Sequence, residues 1–269
     1  MKKDILRVAQ IPYINSLPFY WPLKRKVKHQ LKSGMELCWI KATPREMGEL
    51  ARKNAIDAAP LSLLDAISLE PRFEPLWDLG ISVKEAAGSV LLFSKCSAQN
   101  LSGRTVRITT DTVTSVQLLK CILEFRFSVR PRYFYGRTHA QAEAVLLIGD
   151  QALKAKNNSE WIKKYPHMLD LGEAWKRWQN LPFVFARWMI RSELSKQTKV
   201  ELYDWLLQNI RRFSINDQSV PAQGFCERKG QFSINNYLAL FNYNLGKEEL
   251  KSISRFHKLA SSLPRGENI

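Results

Sequence analysis

Apolar and polar positions along this chain change period repeatedly, and the changes predict strands alternating with helices. "ILRVAQI" (5–11) is an apolar run of strand length, residues 16–23 read as a helical turn, and "MELCWIKA" (35–42) as a second strand. In "TPREMGELARKN", Thr43 stands at the N-cap, Pro44 at the first helical position and Glu46 at the capping-box position, which predicts a helix start there. "IDAAPLSLLDAI" (56–67) then reads as a short strand ending near Pro60, followed by a helix.

A second series opens at "GSVLLFSK" (88–95). Ser102 and Gly103 mark a turn, 105–109 a strand, "TSVQLLKCILEF" an amphipathic helix and "RPRYFY" another strand. "THAQAEA" reads as a helix and "VLLIGD" as a buried strand ending in a Gly-Asp turn. After "DLGEAWKRWQN", the stretch "LPFVFARWMI" is extended, β-branched and aromatic, and long enough to cross between lobes. From about Ser192 onward, "SELSKQTKVELYDWLLQNIRRF", "SINNYLALFNYNL" and "KEELKSISRFHKLASSL" space their apolar residues by three and four, which predicts helices.

The alternation predicts an α/β protein with parallel, helix-covered sheets. Two such series, two crossings and a returning helical segment predict a two-lobed, binding-protein-like fold. Lobe 1 is expected to hold residues 1–93 and 191–269, and lobe 2 residues 94–190. Ligands of such folds sit in the cleft, at the carboxyl ends of the strands.

At 269 residues, with 45% hydrophobic and 25% charged positions, the chain has the composition of a globular protein with one large or two small domains. No apolar run of signal-peptide length follows "MKKDILRVAQ" before Pro12, and no stretch has the length of a membrane span, so a cytoplasmic protein is expected. Cys38, Cys96, Cys121 and Cys226 form no CxxC pair and read as buried free thiols. His29, His139, His167 and His257 lack metal-ligand spacing, and no GxSxG, P-loop, GxGxxG or HExxH motif occurs. Neither a metal nor an organic cofactor is expected.

Charge points to an anionic partner, since 41 Lys and Arg against 25 Asp and Glu leave a net charge of +16. The densest run, Lys24, Arg25, Lys26 and Lys28 with Lys32 beyond, has no interleaved aromatics for base stacking. It reads as a solvated basic face, and no nucleic-acid motif accompanies it.

Four stretches could line the cleft. Asn15 follows the first strand and offers an amide to a ligand, or else caps the helical turn after it. Gly88 permits close backbone approach and Ser89 supplies a hydroxyl, or the two form a plain turn. In "TTDTVTSVQLL", Thr109, Thr110, Thr112, Thr114 and Ser115 crowd a helix start, whose N–H groups could cradle a carboxylate, although capping alone needs one such residue. Gly149 and Asp150 end a strand, where Asp150 could equally cap a helix.

Taken together, "RVAQIPYINSLPFYWPL", "GSVLLFSK", "TVTSVQLL", "LLIGDQAL" and "DLGEAWKRWQNLPFVFARWMIR" resemble the chorismate dehydratase family of the futalosine route to menaquinone. The resemblance runs from about Arg7 to Ser262. It implies a fold like that of type II periplasmic binding proteins and a cytosolic lyase without metal or organic cofactor that converts dianionic chorismate to 3-[(1-carboxyvinyl)oxy]benzoate with loss of water. It carries Asn15 and Ser89 over as catalytic positions, and Thr112, Thr114 and Ser115 as carboxylate-binding ones. Thr112 stands where the family more often has Ser, and "SVPAQGFCERKGQ" departs from the family pattern. A non-catalytic anion-binding or sensor protein of the same fold, and the related dihydroxynaphthoate synthase, are the alternative readings.

Overall fold

The computed structural model describes residues 5–20, 30–136, 142–213 and 233–264. The first sheet is built from β1 (Ile5–Gln10), β2 (Glu36–Lys41), β3 (Ala58–Ser62), β4 (Phe73–Val83), β10 (Phe183–Arg191) and β11 (Phe241–Asn244), in the order β11-β4-β10-β3-β1-β2. The second holds β5 (Val90–Ser94), β6 (Thr105–Ile108), β7 (Arg132–Tyr135), β8 (Ala144–Ile148) and β9 (His167–Asp170), in the order β7-β6-β8-β5-β9.

Both sheets are mixed rather than parallel. β1 runs parallel to β2 and β3, whereas β10 is antiparallel to β3 and β4. In the second sheet β6 is parallel to β7 and β8, and β5 is antiparallel to β8 and β9. β5 and β10, each the first strand after the chain crosses from the other sheet, run against their neighbours, and so does the edge strand β11 against β4. All of β5 pairs within the second sheet and all of β10 within the first.

Every position of β3, β5 and β8 is buried, which is why these strands read as unbroken apolar runs rather than alternating ones. Around the first sheet pack α1 (Leu17–Tyr20), α2 (Pro44–Arg52), α3 (Leu63–Ser68) and α8 (Lys196–Arg212). The predicted capping box of α2 is present: Glu46 N–H donates to Thr43 Oγ1, and Thr43 N–H donates to the Glu46 carboxylate at 2.7 Å. Around the second sheet lie α4 (Thr114–Cys121), α5 (Gly149–Lys156), α6 (Ser159–Lys164) and α7 (Leu171–Gln179). The chain closes with α9 (Ile234–Leu238) and α10 (Lys247–Ser261), and α10 packs on β10 and α4.

The structure departs from the sequence pattern in four places. β4 carries Pro75, Trp77 and Asp78 and shows no clean alternation, yet it pairs with β10 and β11 along its length. "SINNYLALFNYNL" is not one helix: α9 ends at Leu238 and β11 adds to the edge of β4, an outlet for backbone hydrogen bonds that local spacing does not reveal. Gly149 and Asp150 begin α5 instead of forming a turn. Ala142 to Ala144, the described end of "THAQAEA", leads into β8 without helix. The rest of that segment, the basic run 24–28, His29, His139, Cys226 and residues 219–231 lie outside the described residues.

Candidate active site

Asn15 sits in a single 3-10 turn (Ile14–Ser16) between β1 and α1. Ser16 holds this turn by donating its hydroxyl to the carbonyls of Ile11 at 2.9 Å and Tyr13 at 2.8 Å. From the far end of the chain, Tyr243 O–H donates to the Asn15 carbonyl at 2.8 Å. The backbone is thereby fixed on both sides. The capping alternative fails, because Tyr13 occupies the N-cap and no side chain caps the turn. Asn15 Oδ1 is buried and has no hydrogen-bond partner among the described residues.

Ser89 directly precedes β5 and is fully buried, with its Oγ 2.6 Å from the Tyr237 hydroxyl. Gly88 lies just before it at φ +70°, a conformation that favours glycine. Gly88 does not line the pocket described below; its role is to make the turn. The turn is anchored by Asp170, which accepts from Ala87 N–H at 2.9 Å and Gly88 N–H at 2.6 Å while capping α7 through Gly172 and Glu173 N–H. Burial raises the Asp170 carboxyl above the usual carboxylate value, and the four N–H donors pull it back.

The hydroxyl-rich helix start divides by role. Thr112 and Ser115 line the pocket. Thr114 does not: its Oγ1 accepts from Leu64 N–H at 3.0 Å and ties α4 to the start of α3. Thr109 accepts from Asp111 N–H within its own loop, and Thr110 faces solvent. No side chain caps α4, so its first N–H groups keep the unsatisfied donors and positive dipole end that suit an anion.

Gly149, at φ +56°, lines the pocket and lies against Tyr13, whose ring is 3.0 Å from where a Cβ would stand. Asp150 lies beside the pocket and not in it. Its Oδ1 accepts from Ile14 N–H at 3.2 Å, so it positions the Asn15 turn, and burial raises its carboxyl above the usual value.

The pocket therefore joins the two sheets. Its polar wall is Tyr13, Asn15, Ser62, Ser89, Thr112 and Ser115, and Ile11, Pro44, Ile81, Val90, Ile148 and Phe185 supply apolar surface. The starts of α2, α4 and α5 reach it through Pro44, Ser115 and Gly149. Among the described residues, none of its lining side chains is charged, and no three His, Cys, Asp or Glu side chains gather as metal ligands do. The described wall can orient an organic anion and donate hydrogen bonds, and none of its described side chains is an ionised general base.

Sequence reading missed Tyr13, Ser62, Asp170, Tyr237 and Tyr243. Tyr13 was within reach, since it stands two residues before Asn15 in the same turn. The tyrosines of the C-terminal segment carry no local signal. Tyr13 Oη is buried without a partner among the described residues, and burial raises its pKa, so the phenol stays protonated. Tyr13→Phe is expected to stabilise the ligand-free protein by about 1 kcal/mol, because it removes an unsatisfied buried hydroxyl. It should also weaken binding of a pocket ligand. Thermal melts with and without ligand test both signs, and a loss of stability without ligand contradicts the assignment.

Fold and pocket together define a two-lobed protein of the periplasmic-binding-protein type, with uncharged hydrogen-bonding groups between its lobes. The family model described as menaquinone biosynthesis matches residues 6–262, and the chain belongs to that family. It is 27% identical over 263 residues to chorismate dehydratase of Thermus thermophilus, covering 91% of this chain and 94% of that one. To chorismate dehydratase of Campylobacter jejuni it is 28% identical over 212 residues, covering 75% and 78%. Among solved structures, a protein of Archaeoglobus fulgidus superposes with a TM-score of 0.66 at 14% identity, covering 97% of this chain and 98% of that one. The aliphatic sulphonate binding protein of Escherichia coli superposes at 0.54 with 12% identity, covering 96% and 88%. No helix of the described residues is long and apolar enough to cross a membrane.

Proposed function

We propose that this chain is a cytoplasmic hydro-lyase that converts chorismate to 3-[(1-carboxyvinyl)oxy]benzoate and water. The observation that carries the reading is the pairing, in one uncharged pocket, of an unpartnered buried Asn15 Oδ1 with the Ser89 hydroxyl from the other sheet. Kinship with chorismate dehydratases supports it.

The reaction removes one ring proton and the neighbouring hydroxyl, and the ring becomes aromatic. Thermodynamic drive is therefore supplied by the substrate, and the protein's task is orientation, a contribution on the order of 7 kcal/mol or more. Ser89 donates a hydrogen bond to the departing hydroxyl. With no ionised base among the described side chains of the pocket wall, the substrate's own enolpyruvyl carboxylate is assigned the ring proton, steered by Asn15. The open N-terminus of α4, with Thr112 and Ser115, holds the ring carboxylate. The net charge of +16 gives the chain a positive field that favours the approach of a dianion.

Incubating the purified protein with chorismate and resolving the products by mass spectrometry tests the reading. Accumulation of the aryl ether, lighter than chorismate by one water, is the expected result. The sulphonate binding protein of similar fold favours a second reading, in which the cleft binds without chemistry. Under that reading chorismate stays intact while raising the melting temperature, as any ligand selective for the native state does.

A further inference from the structure

The C-terminal segment 233–244 places one tyrosine hydroxyl on each of the two turns that carry the pocket's central polar groups. Tyr243 in β11 donates to the carbonyl of Asn15. Tyr237 in α9 meets the side chain of Ser89 itself, 148 positions away in sequence. α9 also packs against the 3-10 turn of Asn15, so one short element touches both turns. At Gly88, Leu240 and the Tyr237 ring lie 3.0 and 3.6 Å from where a Cβ would stand, leaving the Gly88–Ser89 turn little room to shift.

We infer that Tyr237 is a positioning residue for the reaction, donating its phenolic proton to Ser89 Oγ so that the serine's own proton is directed to the substrate hydroxyl that leaves. The inference rests on the role proposed for Ser89 and adds the group that orients it.

A serine hydroxyl donates one hydrogen bond and accepts two, and its proton rotates freely unless a neighbour decides where it points. Ser89 and Tyr237 are 2.6 Å apart with both groups buried, so one of them donates to the other. A phenol is the more acidic of the two and the better donor. Burial also raises the Tyr237 pKa, which keeps the phenol protonated through the neutral range. With the serine oxygen accepting from Tyr237, its proton is free to serve the departing oxygen, and its rotation is curtailed before substrate arrives. The ring is held in turn by Phe241, edge-on at 5.1 Å. Tyr237 contacts Ser89 and is absent from the pocket wall, so its effect should fall on turnover and not on affinity.

The test is a double-mutant cycle on chorismate turnover with wild type, Ser89→Ala, Tyr237→Phe and the double variant, each checked for folding by its thermal melt. Tyr237→Phe is expected to lower kcat by roughly 10- to 100-fold, the scale of losing one oriented contact, with KM within about twofold. The double variant is expected to match Ser89→Ala alone if the effect of Tyr237 on turnover runs through that hydroxyl.

A Tyr237→Phe enzyme at the wild-type rate beside a slow Ser89→Ala enzyme overturns the inference and leaves the role of Ser89 standing. Additive losses in the double variant overturn it too, because Tyr237 would then act by another route. A fully active Ser89→Ala enzyme, or a wild type that leaves chorismate intact, removes the functional reading and the inference with it. Should Tyr237→Phe fail to fold, 3-fluorotyrosine installed at position 237 probes the same bond, since the fluorine acidifies the phenol and preserves the ring. A changed kcat at unchanged KM is expected there, and an unchanged kcat overturns the inference.

Discussion

Asn15→Ala is expected to reduce the turnover of chorismate by about 10²–10⁴-fold, the range of a single positioned proton-transfer partner, while KM changes little. The expectation follows from how the turn is built. Four contacts hold its backbone, from Ser16, Tyr243 and Asp150, and none of them uses the Asn15 side chain. Truncation therefore leaves the turn in place and removes only the amide. Since Oδ1 is buried without a partner among the described residues, its loss should not destabilise the free protein. Steady-state kinetics beside a melt of the free variant separate the outcomes. A variant that melts like wild type and turns over at the wild-type rate would strip Asn15 of its role. One that melts early would make the amide structural.

Asp170→Ala carries the largest expected effect on stability, a loss of about 3–5 kcal/mol. One buried carboxylate accepts four backbone N–H groups: two start α7, and two belong to the Ala87–Gly88 turn that enters β5. Losing an N-cap alone costs about 1 kcal/mol. Each buried donor left unmet adds about 1–3 kcal/mol, less whatever water recovers. Gly172 leaves that water little room, because a Cβ there would stand 2.9 Å from the Val83 side chain and 3.0 Å from Ala87 nitrogen. The midpoint of urea unfolding should fall at an unchanged slope. Activity should fall as well, since the Ser89 turn loses its anchor. Asp170→Asn should lie between the two, because an amide keeps one acceptor oxygen where the carboxylate uses two. A wild-type midpoint for Asp170→Ala would mean that the turn is held by packing alone.

Much of the fold was legible before any coordinates. Several local signals held, namely the Thr43 cap with Pro44 and Glu46, the apolar runs of β3, β5 and β8 and the amphipathic start of α4, whereas the helical spacing of 233–245 and the Gly149–Asp150 turn did not. Asn15 and Ser89 stood out because an amide among aromatics and a Gly-Ser pair before a buried strand are exceptions to their surroundings. Other expectations changed once partners were known. Thr114 and Asp150 have the chemistry of ligand contacts, yet each spends it on backbone N–H groups from distant elements, Leu64 and Ile14.

Sequence by itself thus determined most of the elements, the α/β class, the presence of a cleft and five of the residues that line it, Asn15, Ser89, Thr112, Ser115 and Gly149, because these depend on periodicity, capping and composition within a few residues of one another. Only the tertiary structure decided the direction of β5 and β10, the conversion of 241–244 into an edge strand, and the assignment of each polar side chain to ligand or scaffold. The physical reason is that a buried hydrogen-bonding group must find a partner, and which partner it finds depends on segments brought together from as far apart as Asn15 and Tyr243.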